Sequence, residues 1–385
     1  MTASIIDQAH ERVRDVYRRE IGRARDDLVT PALILDLDVM RRNLAFMQDR
    51  TVGLPVAVRA HVKVHKSPHI ARLQMEYGAI GVGCATVWEA IGMARAGIPD
   101  VFVINEVVGP EKTRALALLA REAPAKVAVD DLSNVDELSR AAVAAGSTIG
   151  VLVDVDDGMT RCGVTSAAEA LALVRRIADS PGLRFLGLTG YEGHCTLEPD
   201  RDRRHQLARD AMAVLTGIAD DLAANAFPCE IVSAAGTATW EVTAVQPGIT
   251  EIQPGSYATM DSHHFEREPR FALASTVLST CISRRPNHIV LDAGNKTVGA
   301  TKATIKDHDL AVLRFDEEHG IFTADRGYPM KVGDRVELLC TYTPFAVGYF
   351  EAYHVVENDR VVDVWPVMPR GPESRWLLDM LERGE

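Results

Sequence analysis

The chain has 385 residues, 47% of them hydrophobic and 25% charged, with a net charge of −12. Such a composition supports a sizeable core and excludes a disordered chain, and the length suits one large domain with a smaller one, or two medium domains. The acidic residues are dispersed and no Lys/Arg run stands out, which argues against nucleic acid and anionic membrane as partners; no apolar run reaches membrane-spanning length.

The N-terminal stretch MTASIIDQAHERVRDVYRRE is charged and lacks an apolar centre, so no secretion signal is expected, and the first thirty residues read as a helix able to pack on either domain. From about residue 31, short apolar runs alternate with longer amphipathic ones, the pattern of repeated β-α units. The strand-like runs are ALILDL from Ala32, PVAVRA from Pro55, AIGVGC from Ala79, VFVINE from Val101, KVAVDD from Lys126, TIGVLVDVD from Thr148, RFLGLTGY from Arg184 and EIVSAAG from Glu230. Helix-like stretches such as SNVDELSRAAVAAG and TSAAEALALVRRIAD lie between them, with N-caps expected at Ser133 and Thr165. Eight such units predict an α/β fold of the (β/α)8 TIM-barrel type, an open doubly wound sheet being the alternative.

After about Asp261 the helical periodicity fades and strands dominate, as in FALASTVLSTCIS, HIVLDAG, DRVELLCTYT, YFEAYHVVEN and RVVDVWPV. The expected organisation is a barrel over 28–262 and a mostly β domain over 263–385, joined by the segment 1–27. The six cysteines, Cys84, Cys162, Cys195, Cys229, Cys281 and Cys340, form no CxxC pair, which points to free thiols in a reducing cytoplasm.

Parallel barrels place their chemistry at the carboxyl ends of the strands. There the sequence offers Lys63 between His61 and His65, then Asn105, the segment from Asp156 to Arg161, Tyr191 to His194, and Ser233 to Thr237. Burial and nearby positive charge turn a lysine into a reactive amine, although a lysine at a strand end is also an ordinary solvated charge. The turns Ser233-Ala234-Ala235-Gly236-Thr237 and Gln253-Pro254-Gly255-Ser256-Tyr257 carry small residues and hydroxyls that suit a phosphate, and either alone reads equally as a plain loop. Two such turns with a lysine across the mouth suggest a phosphate-bearing aldehyde, pyridoxal 5′-phosphate (PLP), with Lys63 as its amine, the turns as phosphate anchor, Arg161 facing its phenolic oxygen and Tyr191 beside its ring.

The segments TPALILDLD, HVKVHKS, MTRCGV, GYEGH, SAAGT, PGSYATMD, LDAGNK, DEEHG and VWPVMPRG, in this order from about Leu28 to Gly371, resemble those of the D-threonine aldolase and D-serine dehydratase family. That family has the alanine racemase architecture and includes the 3-hydroxy-D-aspartate aldolases. The resemblance implies a Schiff base on Lys63, Arg161 at the phenolic oxygen, Tyr191 beside the ring, and phosphate contacts from Gly236, Thr237, Gly255, Ser256 and Tyr257. It also implies a homodimer, with the β domain closing over the barrel mouth.

One departure stands out. Family members hold a divalent metal through His-x-Asp or His-x-Cys, and alignment back from Val364-Trp365-Pro366-Val367 puts Tyr342 and Pro344 at those positions. A proline has no side-chain donor and a neutral phenol binds weakly, so no family-type metal is expected. Thr341 and Thr343 are expected on the other face of the strand, and Glu351 and His354 on opposite faces. Without a metal, a protein base must take the substrate's hydroxyl proton; His194, His263 and His319 are candidates, and His194 follows Tyr191 at a strand end. The leading expectation is a PLP-dependent lyase that cleaves a β-hydroxy-D-amino acid to glycine, or another small amino acid, and an aldehyde. The alternatives are a racemase, aminotransferase or decarboxylase working only at Cα, with Tyr342 or Tyr349 as second base in racemisation, or a PLP-binding protein without catalysis.

Overall fold

The computed structural model describes residues 5–299, 302–370, 374 and 376–383. Two compact units emerge, one made of Met1–Phe46, Val64–His69 and Ser256–Gly371, the other of Met47–Lys63, Ile70–Gly255 and Pro372–Glu385.

The second unit is a closed parallel barrel of eight strands: β2 (Ala57–His61), β3 (Gly81–Cys84), β4 (Val101–Glu106), β5 (Ala125–Val129), β6 (Ile149–Val155), β7 (Leu183–Gly190), β8 (Ile231–Ala234) and β9 (Glu251–Ile252). Its strands read as near-continuous apolar runs because both faces are covered. Phe102, Ala128, Leu152 and Leu186, on four successive strands, cluster together. At Gly187 (φ +146°) the pairing of β6 with β7 shifts by a residue, and a side-chain carbon there would lie 1.8 Å from the Ile231 carbonyl oxygen, so only glycine fits.

The expected barrel strand at Ala32 belongs elsewhere. Strand β1 (Ala32–Asp36) pairs antiparallel with β10 (Ser275–Arg284) and parallel with β16 (Ala352–Glu357) in a nine-stranded sheet. The barrel is closed instead by β9, which pairs with β8 through Ser233↔Glu251 and with β2 through Ala57↔Glu251. Lys63 therefore follows the first barrel strand in the chain, not the second.

At that short seam the guanidinium of Arg59, 1% exposed, donates to Glu251 of β9 (Nη2 to Oε2, 2.7 Å) and to Asp100 (2.6 Å), while Lys126 of β5 donates to Asp100 at 2.5 Å. Two strand residues supply few backbone bonds; the Arg59–Glu251 pair ties β9 to β2, and Asp100 and Lys126 carry the chain of charges on to β4 and β5.

The sheet of the first unit runs β13 (Val312–Phe315), β14 (Gly320–Thr323), β11 (His288–Leu291), β10, β1, β16, β17 (Arg360–Pro366), with β15 (Arg335–Cys340) on β10 and β12 (Ala303–Ile305) on β15. Its core includes Leu28, Ile34, Leu278, Val356 and Val364, and Val13, Tyr17 and Ile21 from the N-terminal region pack against it. Thr343 is not on a strand face, since Thr343–Val347 is a short helix with Pro344 in its first turn, where proline's fixed φ and missing donor are tolerated. No helix among the described residues is long and apolar enough to cross a membrane.

Candidate active site

In the barrel, Lys63 sits in a single helical turn (Val62–Val64) just past β2, and its amine lies 5.5 Å from the centroid of the Tyr191 ring, at the end of β7. The guanidinium carbon of Arg161 is 5.6 Å from the same centroid. Tyr191 thus joins the two cations that the sequence pattern assigns to one site. Burial, then the Arg161 charge, pushes the Lys63 amine below the ordinary lysine range, against a smaller opposite effect of Glu89. An amine that sheds its proton readily is suited to condense with an aldehyde.

Gly236 borders this group. A side-chain carbon on it would lie 3.2 Å from Cε2 of Tyr191, so the ring rests against bare backbone. The turn that carries Gly236 is held from below by Glu192, 1% exposed, which accepts from the Ala235 N–H at 3.1 Å and from the Thr239 hydroxyl at 2.5 Å. Sequence alone does not single out Glu192, because a carboxylate beside Tyr191 gives no sign that it points inward.

Other expected residues fall differently. Ser233 lies within β8, fully buried, and its hydroxyl accepts from Gln253 Nε2 at 2.7 Å, so it braces β8 rather than opening onto the turn. Thr237 is buried in the turn. His194 occupies the helical turn Gly193–Leu197 with its ring close against Gly158: a side-chain carbon there would lie 2.7 Å from Cε1. Among the described residues its Nδ1 is buried without a hydrogen-bond partner. Asp157, 5% exposed, finds no donor beyond its own backbone N–H among the described residues, and burial followed by Glu192 and Asp156 pushes its carboxyl up to about 8.

Further acids gather past β4, β5 and β6. Ligand atoms of Glu106, Asp130 and Cys162 lie within 4.8 Å of one another. Asp130 accepts from the Gly163 N–H at 3.0 Å, and Asp154 is raised by burial and by Glu106. The Cys162 thiol is pushed up to about 11 by burial and these carboxylates, which keeps it protonated and a weak ligand.

Gly255 ends the barrel unit, and Ser256 and Tyr257 begin the next segment of the other. In that unit Tyr257 is buried and packs edge-on against Phe271 at 5.8 Å, while Ser256 Oγ lies 3.4 Å from His264 Nε2. Tyr342 caps the short helix and stacks on His264 (6.1 Å, 26°); burial and Asp261 push its phenol up. His354 is bound to Glu20 at 2.6 Å and Glu351 to Arg370 at 3.2 Å. The backbone N–H of His263 donates to the Thr341 carbonyl at 3.2 Å.

A parallel eight-stranded barrel with a half-buried lysine, an arginine and a tyrosine at its mouth, in a chain that also builds a large mixed sheet, defines a PLP-dependent enzyme of the alanine racemase type. Residues 35–263 match the "Alanine racemase, N-terminal domain" family and 274–356 the "Putative serine dehydratase domain" family. The D-threonine aldolase of Arthrobacter sp is 36% identical over 351 residues, spanning 89% of this chain and 93% of that one. The 3-hydroxy-D-aspartate aldolase of Paracoccus denitrificans strain Pd 1222 is 33% identical over 366 residues, 91% and 94% of the two chains. The crystal structure of D-threonine aldolase from Filomicrobium marinum superposes with a TM-score of 0.88 at 36% identity, covering 91% of this chain and 98% of that one. The chain belongs to this family of D-threonine aldolase-like lyases.

Proposed function

We propose that the protein cleaves β-hydroxy-D-amino acids by a retro-aldol reaction to glycine, or another small amino acid, and an aldehyde. The observation that carries this is the half-buried Lys63 amine, held below its ordinary range 5.5 Å from the centroid of a ring that Arg161 also faces. PLP fits these residues: an amine ready to react, bare backbone at Gly236 and a turn braced by Glu192 suit an aldehyde with a phosphate. When bound, the cofactor supplies the electron sink that lets the Cα–Cβ bond break.

The chain's own residues do the rest. Lys63 holds the cofactor through its amine and releases product when it returns, Arg161 faces the phenolic oxygen, and Tyr191 lies along the ring. Gly236, Thr237, Gly255, Ser256 and Tyr257 hold the phosphate, with Ser233 fixing the strand behind them. His194 takes the proton of the substrate's β-hydroxyl, its Nδ1 having no partner among the described residues. Tyr342 and Pro344 stand where relatives carry metal ligands, so the reaction proceeds on protein groups alone.

The working form in this reading is a cytoplasmic homodimer acting on a small amino acid, with no nucleic acid or membrane partner. Six free cysteines and a net charge of −12 support the compartment and the exclusions. The test is incubation of the holoenzyme with D-threonine, D-phenylserine and 3-hydroxy-D-aspartate, with and without a chelator. Aldehyde is expected from at least one, at an unchanged rate in chelator, and Lys63→Ala is expected to lose both the reaction and the visible absorption of the bound cofactor. No aldehyde from any substrate overturns the proposal, and loss of activity in chelator overturns its metal-free part.

A further inference from the structure

Behind Ser256 lies a three-residue arrangement to which neither the fold nor the comparisons give a role. Asp261, 1% exposed, accepts at one oxygen, Oδ1, from both the backbone N–H and the ring Nδ1 of His264, each at 2.8 Å. Because a carboxylate only accepts, Nδ1 carries a proton. Nε2 is then directed at Ser256 Oγ, 3.4 Å away, with Ser256 itself 5% exposed. The distance is at the long end for a hydrogen bond, as is common where a site tightens on loading.

Helix capping explains why Asp261 binds the backbone N–H of His264, but not why the ring is held as well. The plane of that ring is fixed from one side by Tyr342, stacked at 6.1 Å and 26°, and from the other direction by His263, edge-on at 5.5 Å. The second oxygen of Asp261 has no hydrogen-bond partner among the described residues, so this buried acid is committed to the histidine. Charge and ring plane both converge on one hydroxyl.

We infer that His264 and Asp261 are positioning residues for the cofactor phosphate: with Nδ1 donating to Asp261 and Nε2 donating to Ser256 Oγ, the Ser256 rotamer is fixed and its own proton is left to meet a phosphate oxygen. This rests on the proposed contact of Ser256 with the phosphate. Tyr342 acquires a purpose in it: at the position of a metal ligand in relatives, this chain has a flat wall for His264.

The test compares the affinity of the apoprotein for PLP with its affinity for pyridoxal, which lacks the phosphate, following the visible absorption of the bound aldehyde. The ratio of the two isolates the phosphate contribution, and thermal melting is followed in parallel. His264→Gln places an amide nitrogen where Nε2 was, whereas His264→Asn reaches only toward Asp261. The expected result is a roughly tenfold loss of PLP affinity in His264→Asn and His264→Ala with pyridoxal affinity unchanged, most of it restored in His264→Gln. Asp261→Asn, which keeps the helix cap, is expected to show a smaller loss of the same kind. Equal weakening of PLP and pyridoxal, or no change in either, overturns the inference. Ser256→Ala separates the two readings: if it lowers the ratio and the His264 variants do not, only the positioning role fails; if it leaves the ratio unchanged, the phosphate role of Ser256 fails with it.

Discussion

Asp157 is the residue whose chemistry is most at odds with its place. Its carboxyl is buried beside Glu192 and stays protonated up to about pH 8 in the folded chain, whereas an unfolded aspartate releases its proton near pH 4. Between those values the folded form binds more protons than the unfolded one, so stability falls as pH rises through this window. Asp157→Asn carries no charge at any pH and escapes that loss. Relative to the parent, its melting temperature is expected to climb from pH 4.5 to pH 8.5. The gain is equivalent to at most several kcal/mol, since each tenfold change in proton affinity is worth ~1.4 kcal/mol. Parallel curves for the two proteins would show that the folded carboxyl ionises normally.

Between strands, the barrel seam carries the heaviest local demand. Arg59 satisfies Glu251 and Asp100 at once; removing it leaves the almost fully buried Glu251 without its cation, while Asp100 keeps Lys126. Arg59→Leu is expected to destabilise the protein by about 3–5 kcal/mol in urea unfolding, and Arg59→Leu combined with Glu251→Gln by clearly less than the single changes sum to, because the unpaired charge is then gone. Additive effects would mean that the pair contributes independently.

The same seam shows what could be read from sequence. Barrel strands such as VFVINE and TIGVLVDVD are long apolar runs and announce themselves; Glu251–Ile252 is two residues with a buried charge, and no periodicity exists over two residues. ALILDL has the composition of a barrel strand but pairs with β10 and β16, a choice made by partners more than two hundred residues away. That Lys63, Arg161, Tyr191 and Gly236 lie together could be read because each follows a barrel strand, and the same rule points to the segments that hold Asp157 and Glu192. Which of those carboxylates turn inward, and the pairing of Asp261 with His264, depend on packing that local sequence does not encode.

Across the whole molecule, neither unit is a continuous piece of chain. The last helix, Trp376–Arg383, lies with the barrel unit, burying Leu377, Leu378 and Leu381 and pairing Glu382 with Arg114 at 3.0 Å. Three buried leucines, at roughly 1.5–3 kcal/mol each before relaxation, outweigh one exposed ion pair. Truncation after Arg370 is therefore expected to lower the melting temperature by several degrees and to increase light scattering on heating, whereas Arg114→Ala should change melting by no more than a degree or so. Equal effects from the two changes would show that the helix docks through charge.

The pairing of β1 with β10 and β16 also has a consequence for synthesis. Leu33 meets Val277 and Ile34 meets His354, so the strand leaves the ribosome with some 240 residues still to be made before its first partner exists. At ~5–20 residues per second that is roughly 12–50 s in which Leu33, Ile34 and Leu35 have no sheet to join. The barrel strands, from Ala57 to Ile252, are all made within that interval. The nascent chain thus carries an unpaired apolar strand at its leading end while the barrel forms behind it, and it is this segment that a chaperone would meet first.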